Sequence, residues 1–255
     1  MAKCPFAQQH PISGSSGAHL GGPSKIVHHT TEGSSAAGAF AAFKQHRSDP
    51  HFTVDGTTIF QHIDTEQAAR ALRNAPGGVE TNRDGAIQIE VVGFAGAPKR
   101  TATLKNVARL CRWIEQQHGV PRVWPAGPPK PPVRGGDPGG HKRDAAIWDK
   151  QGGHYGHCHV PENTHWDPAY TAVEADYLLH ATFDADGALT NRDDPHVAPL
   201  LARLAVFRRG RGGRVVQGAE RVTHPSSSPT SAWSSITCGA NSVTGTAGRA
   251  SRGAT

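Results

Sequence analysis

The sequence predicts an α/β protein in which helices flank a mixed central β-sheet and a disordered basic tail follows at the C-terminus. Two β-branched runs, at residues 25–31 and 87–92, are typical of buried strands. Between residues 103 and 118, apolar side chains recur at helical spacing before Gly119. Because strands alternate with helices along the chain, the α/β class is expected.

The first half of the chain predicts several short elements. Ala36, Phe40 and Phe43 fall on one helical face. Asp55-Gly56 lies between two β-rich runs and favours a tight hairpin turn, and Asp64 is a suitable helix cap. The elements expected here are a strand at 25–31, a helix at 36–46, hairpin strands at 51–54 and 57–63, a helix at 65–73 and a strand at 87–92.

The second half predicts one long helix and one long loop. After the helix at 103–118, residues 125–153 are rich in Pro and Gly, and loops of that length are usually functional or disordered. A further helix is expected near 170–181. We therefore divide the chain into an N-terminal extension at 1–24, a folded domain at 25–185 and an Arg/Ser/Gly-rich tail at 186–255, expected to be largely disordered.

The net charge of +6 comes from the tail. Beyond residue 200, eight arginines stand against a single acidic residue, Glu220. Such a tail is typical of a non-specific electrostatic arm toward nucleic acid, an anionic polymer or a membrane surface. The preceding part of the chain has no basic stripe interleaved with aromatic residues, which disfavours nucleic acid as the partner.

Membrane insertion and cysteine chemistry are both disfavoured. No apolar run approaches the roughly 18 residues needed to cross a bilayer, and the first twenty residues lack an apolar stretch of signal-peptide length. The four cysteines lie far apart without a CxxC pair, so neither a disulfide framework nor a cysteine-only zinc site is indicated. No membrane span is expected.

Histidines are unusually concentrated in one short segment. Of the sixteen in the chain, four lie between residues 153 and 168, close to Asp167, and the pair His28-His29 ends the first predicted strand. Neutral imidazoles and carboxylates are ligands that zinc prefers, and a catalytic zinc takes three of them. The composition suggests a metal site, whereas the spacing alone matches no recurrent zinc motif.

Four segments together resemble a known family. They are IVHHTTEG at 26–33, HFTVDGTTIFQHID at 51–64, IQIEVVG at 87–93 and GHCHVPENTHWDP at 156–168. They are similar to the zinc-dependent N-acetylmuramoyl-L-alanine amidases of type 2, which include phage lysozyme-like amidases and peptidoglycan recognition proteins. The resemblance covers about residues 25–180, and it implies the fold, a Zn²⁺ cofactor and a peptidoglycan or muropeptide substrate. With such a substrate, the anionic partner expected for the Arg-rich tail is a cell-wall polymer.

The resemblance also implies site residues. In the family the first strand ends in a zinc-binding histidine followed by a small polar pair, which we assign to His28 rather than His29. The other two metal ligands are assigned to His157, in the GHxxVxP-like segment, and to Asp167, directly before a proline. Glu90 in the IxIE strand is assigned as the catalytic base, and His165 as the oxyanion donor, where the related branch often has lysine.

Each assignment has a structural alternative. Asp167 before a proline is also typical of a helix cap, His28 could be a core histidine bonded to a backbone carbonyl, and Glu90 could be exposed on the polar side of a strand. The expected function is hydrolysis of the amide between N-acetylmuramic acid and L-alanine, by a monomer. The alternative is a peptidoglycan-binding module without activity. The setting stays open between phage-type release, non-standard export and cytoplasmic recycling.

Overall fold

The computed structural model describes residues 2–22 and 24–203. Elements are numbered in chain order. The strands are β1 (Gln8–Gln9), β2 (Gly17–Ala18), β3 (Lys25–Thr30), β4 (Phe52–Val54), β5 (Ile59–Gln61), β6 (Gln67–Ala68), β7 (Ala86–Val91) and β8 (Gly153–Gly156). The helices are α1 (Ala36–His46), α2 (Thr101–His118), α3 (Ala145–Lys150) and α4 (Ala172–His180), with a 3-10 turn at His157–His159.

Six of the strands form one mixed sheet in the order β1-β5-β4-β7-β3-β8. The four strands β4, β7, β3 and β8 run parallel, whereas β4 and β5 form an antiparallel hairpin. β2 and β6 form a separate two-stranded pair. The predicted α/β class with a mixed central sheet flanked by helices is therefore confirmed.

The central strands are buried on both faces, and each face has its own packing partners. Every residue of β3 and β7 is buried. Ile26 and Ile89 belong to the main core, together with the apolar stripe of α2 and with α4. Val27 belongs to a second cluster, which contains Trp148 of α3 and Tyr155 of β8. Because successive strand residues point to opposite faces, neighbouring side chains of β3 lie in different environments.

The predicted helix at 65–73 is wrong. In its place Gln67 and Ala68 pair with β2 in antiparallel register. Further along, Leu72 donates its backbone N–H to Asn82 Oδ1 and accepts from Asn82 Nδ2, at 3.1 and 2.8 Å. Strand pairing and one asparagine therefore satisfy the backbone groups that helical hydrogen bonds would otherwise satisfy.

The hairpin forms with a wider turn than expected. The backbone N–H of Asp55 donates to the carbonyl of Thr58 at 2.9 Å, and Asp55 Oδ1 accepts from the backbone N–H groups of Thr57 and Thr58. Gly56 is not among the glycines with positive φ. The aspartate side chain thus stabilises the turn, and the left-handed glycine of a two-residue hairpin is not needed.

Packed residues extend beyond the predicted boundaries of the folded domain, 25 and 185. At the N-terminal side, Cys4 is buried in the main core and β1 lies parallel to β5 at the sheet edge. At the other end, Val197 and Leu200 are buried in the same core. The disorder expected for the tail beyond residue 203 lies outside the described residues.

The 125–153 segment is ordered by a short helix that was not predicted. α3 begins after Asp144, whose side chain accepts a hydrogen bond from the backbone N–H of Ile147 at 3.0 Å. Trp148 in this helix is fully buried, and its indole N–H donates to the carbonyl of Glu80 at 3.0 Å. Among the described residues, no helix is both long enough and apolar enough to span a bilayer.

Candidate metal centre and active site

The candidate site lies on the face of the sheet that is opposite α2, where β3, β7 and β8 end. His29 of β3 is the register partner of Glu90 in β7. β8 ends at Gly156, and the 3-10 turn that follows places His157 next to them. Because the carboxyl ends of parallel strands meet at one edge of a sheet, residues distant in sequence converge there.

Three candidate metal ligands converge at this edge. They are His29, His157 and Asp167, and we call them the metal group. His29 Nδ1 lies 3.1 Å from His157 Nδ1, which in turn lies 3.3 Å from Asp167 Oδ1. Two ligand atoms bound to one tetrahedral zinc at about 2.0–2.1 Å lie about 3.3 Å apart. All three residues are buried, so the separations and the chemistry of the donor set both fit zinc.

Asn163 fixes the orientation of His157. The Oδ1 atom of Asn163 lies 3.1 Å from His157 Nε2, and its amide nitrogen donates to the carbonyls of Arg73 and Pro161. The backbone N–H of Arg73 also donates to this Oδ1 atom. Since an amide oxygen only accepts, His157 carries its proton on Nε2 and turns the lone pair of Nδ1 toward His29 and Asp167.

Asp167 completes the group as an anion. Its Oδ2 atom accepts a hydrogen bond from the backbone N–H of Thr30 at 2.9 Å, which leaves Oδ1 facing His157. Burial raises the pKa of this carboxyl, but the neighbouring His157 and His29 outweigh burial and hold its pKa well below the ordinary value. With the proton of His157 on Nε2, two acceptor atoms face each other, which is the electrostatic setting that a bound cation stabilises.

Glu90 is a buried carboxyl group beside these ligands. Its Oε1 atom lies 4.0 Å from His29 Nδ1, and its Oε2 atom is buried without a hydrogen-bond partner among the described residues. Burial and, next, the charges of Asp167 and Glu32 raise the pKa of Glu90 well above the ordinary value of 4.5. A carboxyl with a raised pKa can both accept and return a proton near neutral pH.

His165 lies against the metal group through ring contact. Its imidazole stacks on that of His157, with centroids 4.6 Å apart and an interplanar angle of 9°. Its backbone carbonyl accepts a hydrogen bond from Arg143 at 2.8 Å, which anchors this residue. Burial and the neighbouring His157 lower the pKa of His165, so the neutral imidazole is favoured over the cation.

The structure does not bring His28 to this group, and the assignment of His28 over His29 is corrected. His28 points to the α2 face, where its Nε2 atom lies 3.1 Å from His154 Nδ1. The pleat of β3 sends adjacent residues to opposite faces, so only one of the pair can reach His157. His29, which lies beside His157, is followed directly by the small polar pair Thr30-Thr31.

Four residues thus lie together as a possible catalytic set, with His165 stacked at their side. The structure brings His157, Asp167 and Glu90 together, and His29, not His28, lies beside them. Asn163 was missed, since an asparagine within a loop gives no sequence signal of its contact with a ligand. The roles of all these residues stay predictions, which are developed below.

Comparisons with known proteins define the class of protein. The family described as N-acetylmuramoyl-L-alanine amidase matches residues 21–170, which is more than half of the chain. The chain therefore belongs to the N-acetylmuramoyl-L-alanine amidase family. No curated protein sequence matches it.

Several solved structures are similar to this chain at low identity. Staphylococcus aureus hydrolase AmiA, solved in complex with its ligand, aligns with a TM-score of 0.45 and 16% identity over 65% of this chain and 74% of its own. PlyL aligns with a TM-score of 0.38 and 18% identity, over 46% and 76%. The amidase LysC from Clostridium intestinale URNW aligns with a TM-score of 0.36 and 18% identity, over 46% and 78%.

Proposed function

We propose that this protein is a zinc-dependent hydrolase that cleaves the amide between the lactyl group of N-acetylmuramic acid and L-alanine in peptidoglycan. The family supports the amidase reaction. The observation that carries the zinc dependence is the convergence of three buried candidate ligands, His29, His157 and Asp167, beside the carboxyl group of Glu90. A buried set of this kind would be poorly stable without a cation at its centre.

Zinc held by His29, His157 and Asp167 would polarise the amide carbonyl and make a water molecule acidic enough to attack it at neutral pH. Glu90 would accept the proton of the attacking water on Oε2, the oxygen to which none of the described residues donates a hydrogen bond. It would then pass that proton to the leaving nitrogen of L-alanine. Its raised pKa suits both transfers, because a carboxyl group that holds its proton more firmly is a better base toward the water.

His165 would act on the carbonyl oxygen of the substrate. We propose that a ring N–H of this residue donates a hydrogen bond to the oxygen as negative charge develops on it. The stacked contact with His157 holds the ring at the site. Because its pKa is lowered, the donor is the neutral imidazole and not a permanent cation.

The test is cleavage of a soluble muramyl peptide by the full chain loaded with zinc, with newly exposed N-terminal alanine as the readout. Glu90→Gln should keep its zinc and lose activity by about 100-fold or more, because general base catalysis contributes about that much. His29→Ala should lose activity together with the zinc equivalent that this group binds. Glu66→Gln makes the same chemical change at an exposed position and should leave the rate unchanged.

Two results would overturn the proposal. A Glu90→Gln enzyme with the wild-type rate would remove Glu90 from the reaction. Binding of the muramyl peptide to the zinc-loaded wild-type chain, without any new N-terminal alanine, would indicate a peptidoglycan-binding module in place of an enzyme.

A further inference from the structure

A second group of metal-ligating side chains lies on the opposite face of the same sheet. It consists of His28 from β3, Cys111 from α2 and His154 from β8, and all three are fully buried. Their ligand atoms lie within 4.8 Å of one another, and His28 Nε2 is 3.1 Å from His154 Nδ1. We call this group the inner cluster. It shares no residue with the group of His29, His157 and Asp167.

Both imidazoles of the inner cluster are oriented through their far nitrogens. His154 Nε2 lies 3.0 Å from the carboxylate of Glu115, and His28 Nδ1 lies 3.2 Å from the hydroxyl of Tyr170. The guanidinium groups of Arg112 and Arg122 bind the same Glu115 and hold it in place. A histidine whose remote nitrogen bonds a carboxylate or another oxygen is the usual arrangement around a protein-bound metal.

The inner cluster is closed to substrate. The ring of Trp124 lies 5.3 Å from that of His28 and 5.4 Å from that of His154, measured between centroids. Tyr170 covers His28 from another side, with its ring centroid at 5.6 Å. A metal enclosed in this way serves structure, because a catalytic metal needs an open coordination position.

We propose that His28, Cys111 and His154 form a second metal site, which takes a thiophilic cation of the class that includes Zn²⁺ and Cu⁺. Thiolate and imidazole ligands select these ions over hard cations. The cation would displace the thiol proton of Cys111 and bind His28 Nε2 and His154 Nδ1 through their lone pairs. It would link β3, β8 and α2 through the core. This proposal is independent of the catalytic role proposed for the other site.

The two sites can be distinguished by whether a sulfur atom is among the metal ligands. The site of His29, His157 and Asp167 has no thiolate ligand, whereas the inner cluster includes Cys111. Titration of the metal-free full chain with Co²⁺, a spectroscopic substitute for Zn²⁺, should therefore give a sulfur-to-cobalt charge-transfer band in the near ultraviolet. A parallel anaerobic titration with Cu⁺, in competition with bicinchoninate, measures binding of the monovalent ion.

Substitutions show which residues give the charge-transfer band. Cys111→Ser should remove the charge-transfer band and one equivalent of bound metal, while His29→Ala should keep the band and lose the other equivalent. Cys158→Ser is the matched control, because Cys158 is a buried thiol next to His157 and should leave the band unchanged.

The wild-type chain alone can overturn the proposal, so the outcome does not depend on whether Cys111→Ser folds. The inner cluster would be only a hydrogen-bonded core network if the wild-type chain bound a single equivalent of Co²⁺ without a charge-transfer band and retained no Cu⁺ against bicinchoninate. A band that disappears in Cys158→Ser and persists in Cys111→Ser would also overturn it. A band in the cobalt titration supports a zinc-type site, and retained Cu⁺ alone supports a copper-type site.

Discussion

At the scale of single residues, Asn163 should control zinc affinity without touching the metal. Its amide oxygen fixes the proton of His157 on Nε2, and two backbone carbonyls hold the amide in the required orientation. Removal of such an outer contact lowers metal affinity by roughly 10–100-fold. We therefore expect Asn163→Ala to weaken zinc binding by about that factor in a chelator-competition titration.

Asn74→Ala is the matched control for this measurement. Asn74 is exposed in the 72–82 loop and bonds Glu80 and Thr81, so the same side chain is removed without the loss of a hydrogen bond to His157. It should bind zinc as the wild type does. Equal affinities of Asn163→Ala and the wild type would show that the backbone alone fixes His157.

The sequence could predict the kind of chemistry at the site better than the identity of each residue. The histidine-rich segment and Asp167 indicated a metal group, and they converge in the structure. The choice between His28 and His29 depended on which face of β3 points to His157, and two adjacent histidines give no such information. Burial of Glu90 was also undecided, because a lone glutamate in a strand is as compatible with an exposed face.

At the scale of elements, Gly156 permits the close approach of the two segments that carry His157 and Asp167. A Cβ atom at this position would lie 2.9 Å from Cys158 Sγ and 2.9 Å from Pro168 Cδ. The same segments are joined by a hydrogen bond of 3.0 Å from the backbone N–H of Cys158 to the carbonyl of Asp167. The 3-10 turn therefore packs against the Asp167-Pro168 segment with no room for a side chain.

Gly156→Ala should reduce both stability and zinc affinity. Overpacking of a filled site typically costs about 1–3 kcal/mol, and the resulting shift would move His157 away from Asp167. Urea unfolding gives the first quantity and chelator competition the second. Gly136→Ala is the control, because its Cβ would lie 3.7 Å from the nearest atom, the carbonyl oxygen of Val133. A Gly156→Ala chain that matches this control in both assays would contradict the close-packing argument.

Elements with strong periodicity could be predicted, and those decided by distant partners could not. The expected helix at 36–46 coincides with α1, and the expected helix at 103–118 coincides with most of α2. The 65–73 segment has a good helix-capping signal, but its backbone groups form hydrogen bonds with β2 and Asn82 in place of helical ones. α3 spans six residues, too few for periodicity to distinguish it from the surrounding loop.

At the scale of the whole molecule, the folded unit should need residues beyond 186. Val197 and Leu200 are at most 1% exposed and pack in the main core with α2 and α4. Burial of one such side chain stabilises a fold by about 1.5–3 kcal/mol. A chain ending at Asp186 should therefore unfold at clearly lower urea concentration than a chain ending at Arg203. Equal midpoints would restore the sequence-based boundary at 185.

Acid should destabilise the molecule through buried, neutral histidines that are not among the proposed metal ligands. The Nδ1 atom of His51 accepts a hydrogen bond from the backbone N–H of Gln88, at 2.9 Å, and His62 Nε2 lies 2.8 Å from the hydroxyl of Thr53. Burial lowers the pKa of His51 to about 3 and that of His62 to about 4. Protonation of either ring would also remove an acceptor from these bonds.

The sign of the effect follows from proton binding. Below pH 6.5 the unfolded chain protonates His62 and the folded chain does not until about pH 4, so stability decreases as the pH falls through this window. At pH 5 the loss of stability that this one residue causes is about 2 kcal/mol.

The urea midpoint should therefore decrease between pH 7 and pH 5, and His62→Gln should show a flatter pH dependence at the same zinc concentration. His196→Gln, at a half-exposed histidine, should keep the wild-type slope. If His62→Gln kept that slope too, His62 would have to be protonated in the folded state, which its burial opposes.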